Sequence, residues 1–229
     1  MKNTLRYSIV RSKEELEGSR RLVLEEYIRS GYVSGQDIAS GLKMGDYLGL
    51  PDTTTFILQY QDCVIGTVSL VEDGEKGVPM DDLYTKEINI LRHRGSKIAE
   101  VSQFAIRKDA HIEYSSPDKK RPASYLSVPL LKLTVHYALR QGVDTFCIAV
   151  NPKHVMFYKF LGFEQFGEEK SYVSVNGAPA VALVLDLEKI TCRDSKLREH
   201  LVWSEIFSDN PESGVFDKGG TACLEYDTV

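Results

Sequence analysis

The ten residues IAEVSQFAIR (98–107) set one carboxylate, Glu100, inside an otherwise apolar run. Side chains alternate between the two faces of a strand, so Ile98, Glu100, Ser102 and Phe104 are expected on one face and Ala99, Val101 and Gln103 on the other. A carboxylate on an interior strand costs free energy unless it is hydrogen-bonded or put to use. The use its chemistry suggests is proton transfer, because partial desolvation raises a carboxyl pKa toward the range where a general base works best. The alternative is an edge-strand glutamate facing water, and this segment alone leaves it open. The five histidines (93, 111, 136, 154 and 200) and four cysteines (63, 147, 192 and 223) show no ligand or redox spacing. Histidines with ordinary structural partners and small buried thiols are therefore expected.

Several elements must hold that strand in place. A short strand over 7–10 precedes a helix opened by the capping-box pattern at Ser12-Lys13-Glu14-Glu15, with Glu15 reaching back toward the cap. Leu16, Val23, Leu24, Tyr27 and Ile28 form its expected buried stripe. Residues 32–52 are glycine-rich and apolar, suited to a lid or binding loop or to packing on the domain's own core. Alternating runs at 53–60 and 63–71 flank Gln61-Asp62 and read as a hairpin. Residues 81–91 read as a helical or irregular excursion, and 111–124 as a polar surface loop with two prolines. A helix starting at Ser127 and Pro129 runs to Gly142, the usual left-handed terminator. A buried strand over 145–150, a helix capped by Asn151-Pro152 and stopped by Gly162, and strands at 163–166, 172–175 and 180–187 complete the pattern. Such alternation implies an α/β domain over residues 1–190. Residues 191–229 read as an appendage, with an amphipathic helix over 194–207 and a loose remainder.

The composition is that of a globular protein, with 42% hydrophobic and 27% charged residues among 229. A net charge of −5 argues against wholesale nucleic-acid binding. No apolar run reaches membrane-spanning length and no signal-peptide core precedes the first strand, so a cytoplasmic protein with reduced thiols is expected. An acidic partner would have to dock on a local basic patch. The candidates are Arg92-His93-Arg94 with Lys97, and Lys119-Lys120-Arg121, each of which also reads as solvated loop charge.

The block NPKHVMFYKFLGFE (151–164) resembles the late helix and strand of the GNAT superfamily of N-acyltransferases, where an asparagine ends one strand and F-Y-x-x-L-G-F follows. The strand IAEVSQFAI resembles the E-[IVL]-S-R-[FL]-A-V strand of two carrier-protein-dependent branches, the acyl-homoserine lactone synthases and the bacterial N-acyl amino acid synthases. The run SVNGAPAVALVLDL (174–187) is similar to the latter branch, whose members include N-acyltyrosine synthases. The resemblance spans about residues 5–190 and implies a mixed, mainly antiparallel central sheet with helices on both faces. CoA-using members carry a [QR]-x-x-G-x-[GA] loop whose backbone amides cradle pyrophosphate. At that place this chain has RPASYLSVP (121–129), with no glycine. The departure implies a donor carried as a phosphopantetheine thioester on an acidic acyl carrier protein, steered by Lys119, Lys120 and Arg121. Arginine stands in the lactone synthases, and in many N-acyl amino acid synthases, where this chain has Gln103. The lactone synthases also carry an arginine-leucine pair where this chain has Ser69-Leu70, and a tryptophan in their early loop has no counterpart here, since the single tryptophan is Trp203. Lactone synthesis is accordingly disfavoured.

What the resemblance implies is transfer of a medium- to long-chain acyl group to the α-amine of an amino acid, with neither metal nor redox cofactor. An acetyl-CoA-dependent N-acetyltransferase and a lactone-synthase-like signal enzyme are the competing readings. Glu100 would take the amine proton, the Phe104 N–H and Ser102 hydroxyl would face the oxyanion, and Tyr158 would protonate the leaving thiolate or simply pack in the core. Gln103, Tyr32 and Asn151 are expected to touch substrate. Leu126, Val128 and Leu131 are expected to line an apolar tunnel for the acyl chain.

Overall fold

A computed structural model describes residues 4–33, 50–110, 124–172, 177–192 and 223–227. The elements in chain order are β1 (Thr4–Ile9), α1 (Lys13–Arg29), β2 (Thr53–Tyr60), β3 (Cys63–Glu72), α2 (Asp81–His93), β4 (Ile98–Ile106), α3 (Ser124–Arg140) and β5 (Thr145–Val150). A 3₁₀ turn (Pro152–His154), α4 (Val155–Phe160), β6 (Glu164–Gln165), β7 (Lys170–Tyr172), β8 (Ala178–Asp186), α5 (Glu188–Thr191) and β9 (Cys223–Asp227) follow. The sheet runs β6-β8-β5-β4-β3-β2-β1-β9, with β7 also paired to β8. Its one parallel junction among the described residues is β4 with β5; the other pairings are antiparallel.

Alternation sorts the apolar side chains into two layers. On β4, Ile98 packs with Ile88 and Leu91 of α2, while its neighbour Ala99 joins Leu130 and Leu133 of α3 in the main core. Phe146 and Cys147 of β5 divide the same way, as do Val181 and Ala182 of β8. Helices α1 and α2 thus cover one face and α3 the other, which is the mixed sheet with two helical layers implied by the sequence. No helix among the described residues is long and apolar enough to cross a membrane.

Local signals and observed boundaries agree at the start of α1 and at the ends of α3 and α4. The Ser12 hydroxyl accepts the Glu15 N–H at 3.2 Å, and Gly142 (φ +76°) and Gly162 (φ +90°) end their helices. Four details differ from expectation. Glu15 reaches past the cap to the Arg11 N–H (2.7 Å) and to Arg6 (2.9 Å). The buried positions of α1 are Ser19, Leu22 and Val23, whereas Ile28 is 43% exposed. Helix α3 begins at Ser124 and continues through Pro129, so most of the glycine-free stretch, residues 124–129, is helical, while 111–123 of the expected surface loop lie outside the described residues. Part of the chain end expected to be loose, Cys223–Asp227, is instead a strand paired antiparallel to β1; the helix expected over 194–207 and most of the 32–52 segment lie outside the described residues.

Candidate active site

The parallel junction between β4 and β5 lasts three rungs and ends at Glu100 opposite Cys147. Beyond that rung no pairing joins the two strands. Strand β4 also carries a bulge there: Ser102 faces Ser69 and Ala105 faces Thr67, so Gln103 and Phe104 together oppose Val68. Gln103 adopts φ +53°, a left-handed conformation unusual for a residue other than glycine. The bulge shifts the alternation by one residue. Phe104 therefore packs against the α3 core beside Val101, and Ala105 turns to α1, in contrast to the strict alternation read from the sequence.

A cavity of about 210 Å³ occupies the opening. Glu100, Ser102, Gln103 and Phe104 of β4 line it, as do Tyr32, Asn151 and Tyr158. These seven are among the positions expected to do chemistry or touch the substrate, and the fold brings them to one place. A smaller apolar cavity of about 30 Å³ lies on the α3 side, lined in part by Leu131, Phe146 and Phe163. Val101, Phe104, Ile148 and Tyr158 line both. Leu126 and Val128 line neither; Leu126 is buried in the main core and Val128 packs against it. Lys119, Lys120 and Arg121 lie outside the described residues.

Glu100 is only 4% exposed. Its Oε2 accepts the backbone N–H of Met80 at 2.7 Å. Burial pushes its carboxyl pKa up to about 8; the Met80 N–H pulls it down, and Asp81 and Asp82 push it further up. The donor is held by a charged clasp. Arg92 binds Asp73 through Nε (2.8 Å) and Nη2 (2.6 Å), and Asp81 through Nη1 (2.9 Å) and Nη2 (2.5 Å). Asp81 in turn accepts the Val78 N–H at 2.9 Å, while the Asp73 N–H donates to Ile98 O at 3.1 Å, tying the clasp to β4. Of the first basic patch, Arg92 serves this clasp, whereas His93, whose Nδ1 contacts Asn89 O (2.6 Å), Arg94 and Lys97, which reaches Gln141 O, are exposed.

Tyr158 meets Phe157 and Phe163 edge-on, at 5.2 and 5.5 Å between ring centroids, and burial pushes its hydroxyl pKa up to about 12. It stays protonated at neutral pH. Asn151 accepts the Lys153 N–H (3.1 Å) and caps the 3₁₀ turn. Cys147, one rung from the opening, is fully buried and its thiol is pushed upward by burial, so it is a poor nucleophile.

Four contributors escaped the sequence reading. Tyr27 was assigned to a core stripe and His154 to structural roles, yet both line the cavity, as does Tyr172. Burial lowers the His154 pKa, leaving a neutral imidazole. Met80 acts through its backbone, which no side-chain pattern announces.

A family profile described as N-acyl amino acid synthase FeeM matches residues 18–186. Among solved structures, FeeM, an N-acyl amino acid synthase from uncultured soil microbes, is 32% identical, with 90% of this chain and 99% of that one covered at a TM-score of 0.71. The CoA-dependent acyl-homoserine lactone synthase BjaI (14% identical, 88% and 89% covered, TM-score 0.55) shares the fold. So does an acyl-CoA N-acyltransferase from Pseudomonas aeruginosa (12% identical, 79% and 98% covered, TM-score 0.54). No match was found among curated proteins. With a buried glutamate at a strand splay and a profile covering most of its length, this chain belongs to the FeeM family of N-acyl amino acid synthases and is an N-acyltransferase.

Proposed function

We propose that the protein joins a medium- to long-chain acyl group, delivered as a thioester on acyl carrier protein, to the α-amine of an amino acid. The observation that carries this reading is Glu100, buried on the floor of the cavity where β4 and β5 part. The incoming ammonium loses one proton to solvent, and the ionised Glu100 removes the second as the amine attacks. The amine nitrogen adds to the thioester carbon, and the carbonyl oxygen takes up the negative charge. Alternation counted back from the Arg107 N–H, which donates to Ile65 O on β3 (2.8 Å), turns the Phe104 N–H away from β3 and toward the opening. That N–H, with the Ser102 hydroxyl, is the proposed oxyanion donor. Collapse of the adduct forms the amide, breaks the C–S bond and passes the Tyr158 proton to the leaving thiolate. Among the described residues no cysteine lines the cavity, and Cys147 is buried and protonated, which favours direct transfer over an acyl-enzyme.

The apolar cavity beside Leu131 is the proposed start of the acyl site, and Lys119, Lys120 and Arg121 the proposed contact for an acidic carrier. The absence of glycine from 121–129, most of which forms the start of α3, supports a carrier-borne donor over free CoA. The test is a mass-spectrometric assay in which acyl carrier protein and CoA thioesters of equal chain length compete before a panel of amino acids. An N-acyl amino acid formed from the carrier thioester is the expected product. Preference for the CoA thioester would overturn the donor assignment, and an unchanged rate in Glu100→Gln would remove the proposed base.

A further inference from the structure

Among the described residues, five buried side-chain oxygen atoms have no hydrogen-bond partner, and two of them, Tyr32 Oη and Gln103 Oε1, belong to residues lining the cavity. Buried polar atoms of this kind cost free energy in a protein that never fills them, and so point to a ligand. The two are chemically complementary. An amide oxygen only accepts, and a phenol donates readily. Together with the acceptor oxygens of Glu100 they match the two charged ends of an α-amino acid, an ammonium with several N–H groups and a carboxylate.

We infer that Tyr32 and Gln103 are the acceptor-recognition pair: Gln103 Oε1 orients the amine beside Glu100, and the Tyr32 hydroxyl donates to the substrate's α-carboxylate. This rests on the amino-acid acceptor proposed above and says how the site tells an amino acid from a plain amine. Tyr32 is built for the part. Its ring stands edge-on against Tyr27 (5.7 Å between centroids, 84°), and its backbone N–H donates to Tyr27 O at 2.9 Å. Lys153 Nζ lies 5.0 Å from the ring centroid on its face, which orients the phenol and sets a positive charge near the proposed carboxylate. Gln103 is held at the bulge by left-handed backbone, a strained conformation that fixes the direction of its side chain. A site that hydrogen-bonds a substrate group rejects analogues lacking it, because its own buried atoms are then left unpaired.

The test measures binding of acceptors to the intact protein without any acyl donor, so it reads the pocket whether or not carrier-dependent transfer is correct. Calorimetric titration compares an amino acid that the protein binds with its decarboxylated amine, in the wild type, Tyr32→Phe and Gln103→Met. A hydrogen bond to a charged group corresponds to about a tenfold to hundredfold change in affinity. The wild type is expected to prefer the amino acid by that factor. Tyr32→Phe should erase the preference by weakening the amino acid alone, whereas Gln103→Met should weaken both ligands alike. Equal weakening of both ligands in Tyr32→Phe, an unaltered preference, or no amino-acid binding by the wild type would each overturn the assignment. Failure of acyl transfer alongside the expected binding pattern would instead overturn the donor reading and leave this one standing.

Discussion

Two groups of carboxylates lie side by side in this fold and are treated in opposite ways. Asp73 and Asp81 are bound by the Arg92 guanidinium through four contacts, with part of the cluster open to water. Glu100 sits one residue away from that cluster through Met80, yet its described partner is one backbone N–H. The aspartates hold Arg92 firmly protonated and anchor a loop. Among the described residues Glu100 has no such counter-ion, and burial carries its pKa to about 8. A paired carboxylate is architecture; an unpaired buried one is poised to exchange a proton.

The strongest way to break this contrast is Glu100→Gln. If Glu100 is the base, acyl transfer should fall about 10²- to 10⁴-fold in a single-turnover assay. Folding should move the other way. The raised pKa of Glu100 means that the native state holds its proton up to about pH 8, while the unfolded chain releases it near 4.5. Stability contributed by the protonated carboxyl is therefore present at low pH and lost as pH rises through 8. Denaturant titration should show Glu100→Gln gaining about 2–4 kcal/mol over the wild type at pH 9, with the gap narrowing toward pH 5.

Next in size is Arg92→Met, which leaves two partly buried aspartates without a counter-ion. A loss of about 2–3 kcal/mol is expected, below that of a fully buried pair because of partial exposure. With the Met80 donor loosened, the rising limb of kcat/KM against pH should move to higher pH. A stability loss with an unmoved limb would separate the clasp from the glutamate it is argued to serve.

In the wild type, kcat/KM should rise through about pH 8 as Glu100 ionises, and a flat profile between pH 6 and 9 would detach the carboxyl from the rate. Tyr158→Phe should lower kcat about 10- to 100-fold for alkyl thioesters. It should matter less for a thioester whose thiol is acidic enough to leave unaided. The smallest effect sharpens the contrast from the other side: Lys189→Ala, which removes an exposed pair with Glu164, should change stability by about 0.5 kcal/mol or less and leave the rate alone.

Much of the frame was readable in the chain. Period-two alternation marked β2 and β3, a short buried run marked β5, the capping serine marked α1, and FYKFLGF marked α4 with its turn. The positions singled out for chemistry on β4, with Tyr32, Asn151 and Tyr158, do share one cavity. What escaped notice is non-local or carried by backbone. The bulge falls at a glutamine with no glycine to flag it, so Phe104 was assigned to the wrong face. The partner of Glu100 is an amide, and the pairing of β9 with β1 joins residues at opposite ends of the chain.

By itself the sequence determined that one acid would sit within an apolar strand of a two-layered α/β sheet, because periodicity and capping are properties of neighbouring residues. Whether that acid would meet water, a cation or only a lone N–H was decided by tertiary structure. The pKa of a carboxyl depends on what folding removes from its surroundings, and those surroundings come from α1, α2 and β5 as much as from its own strand.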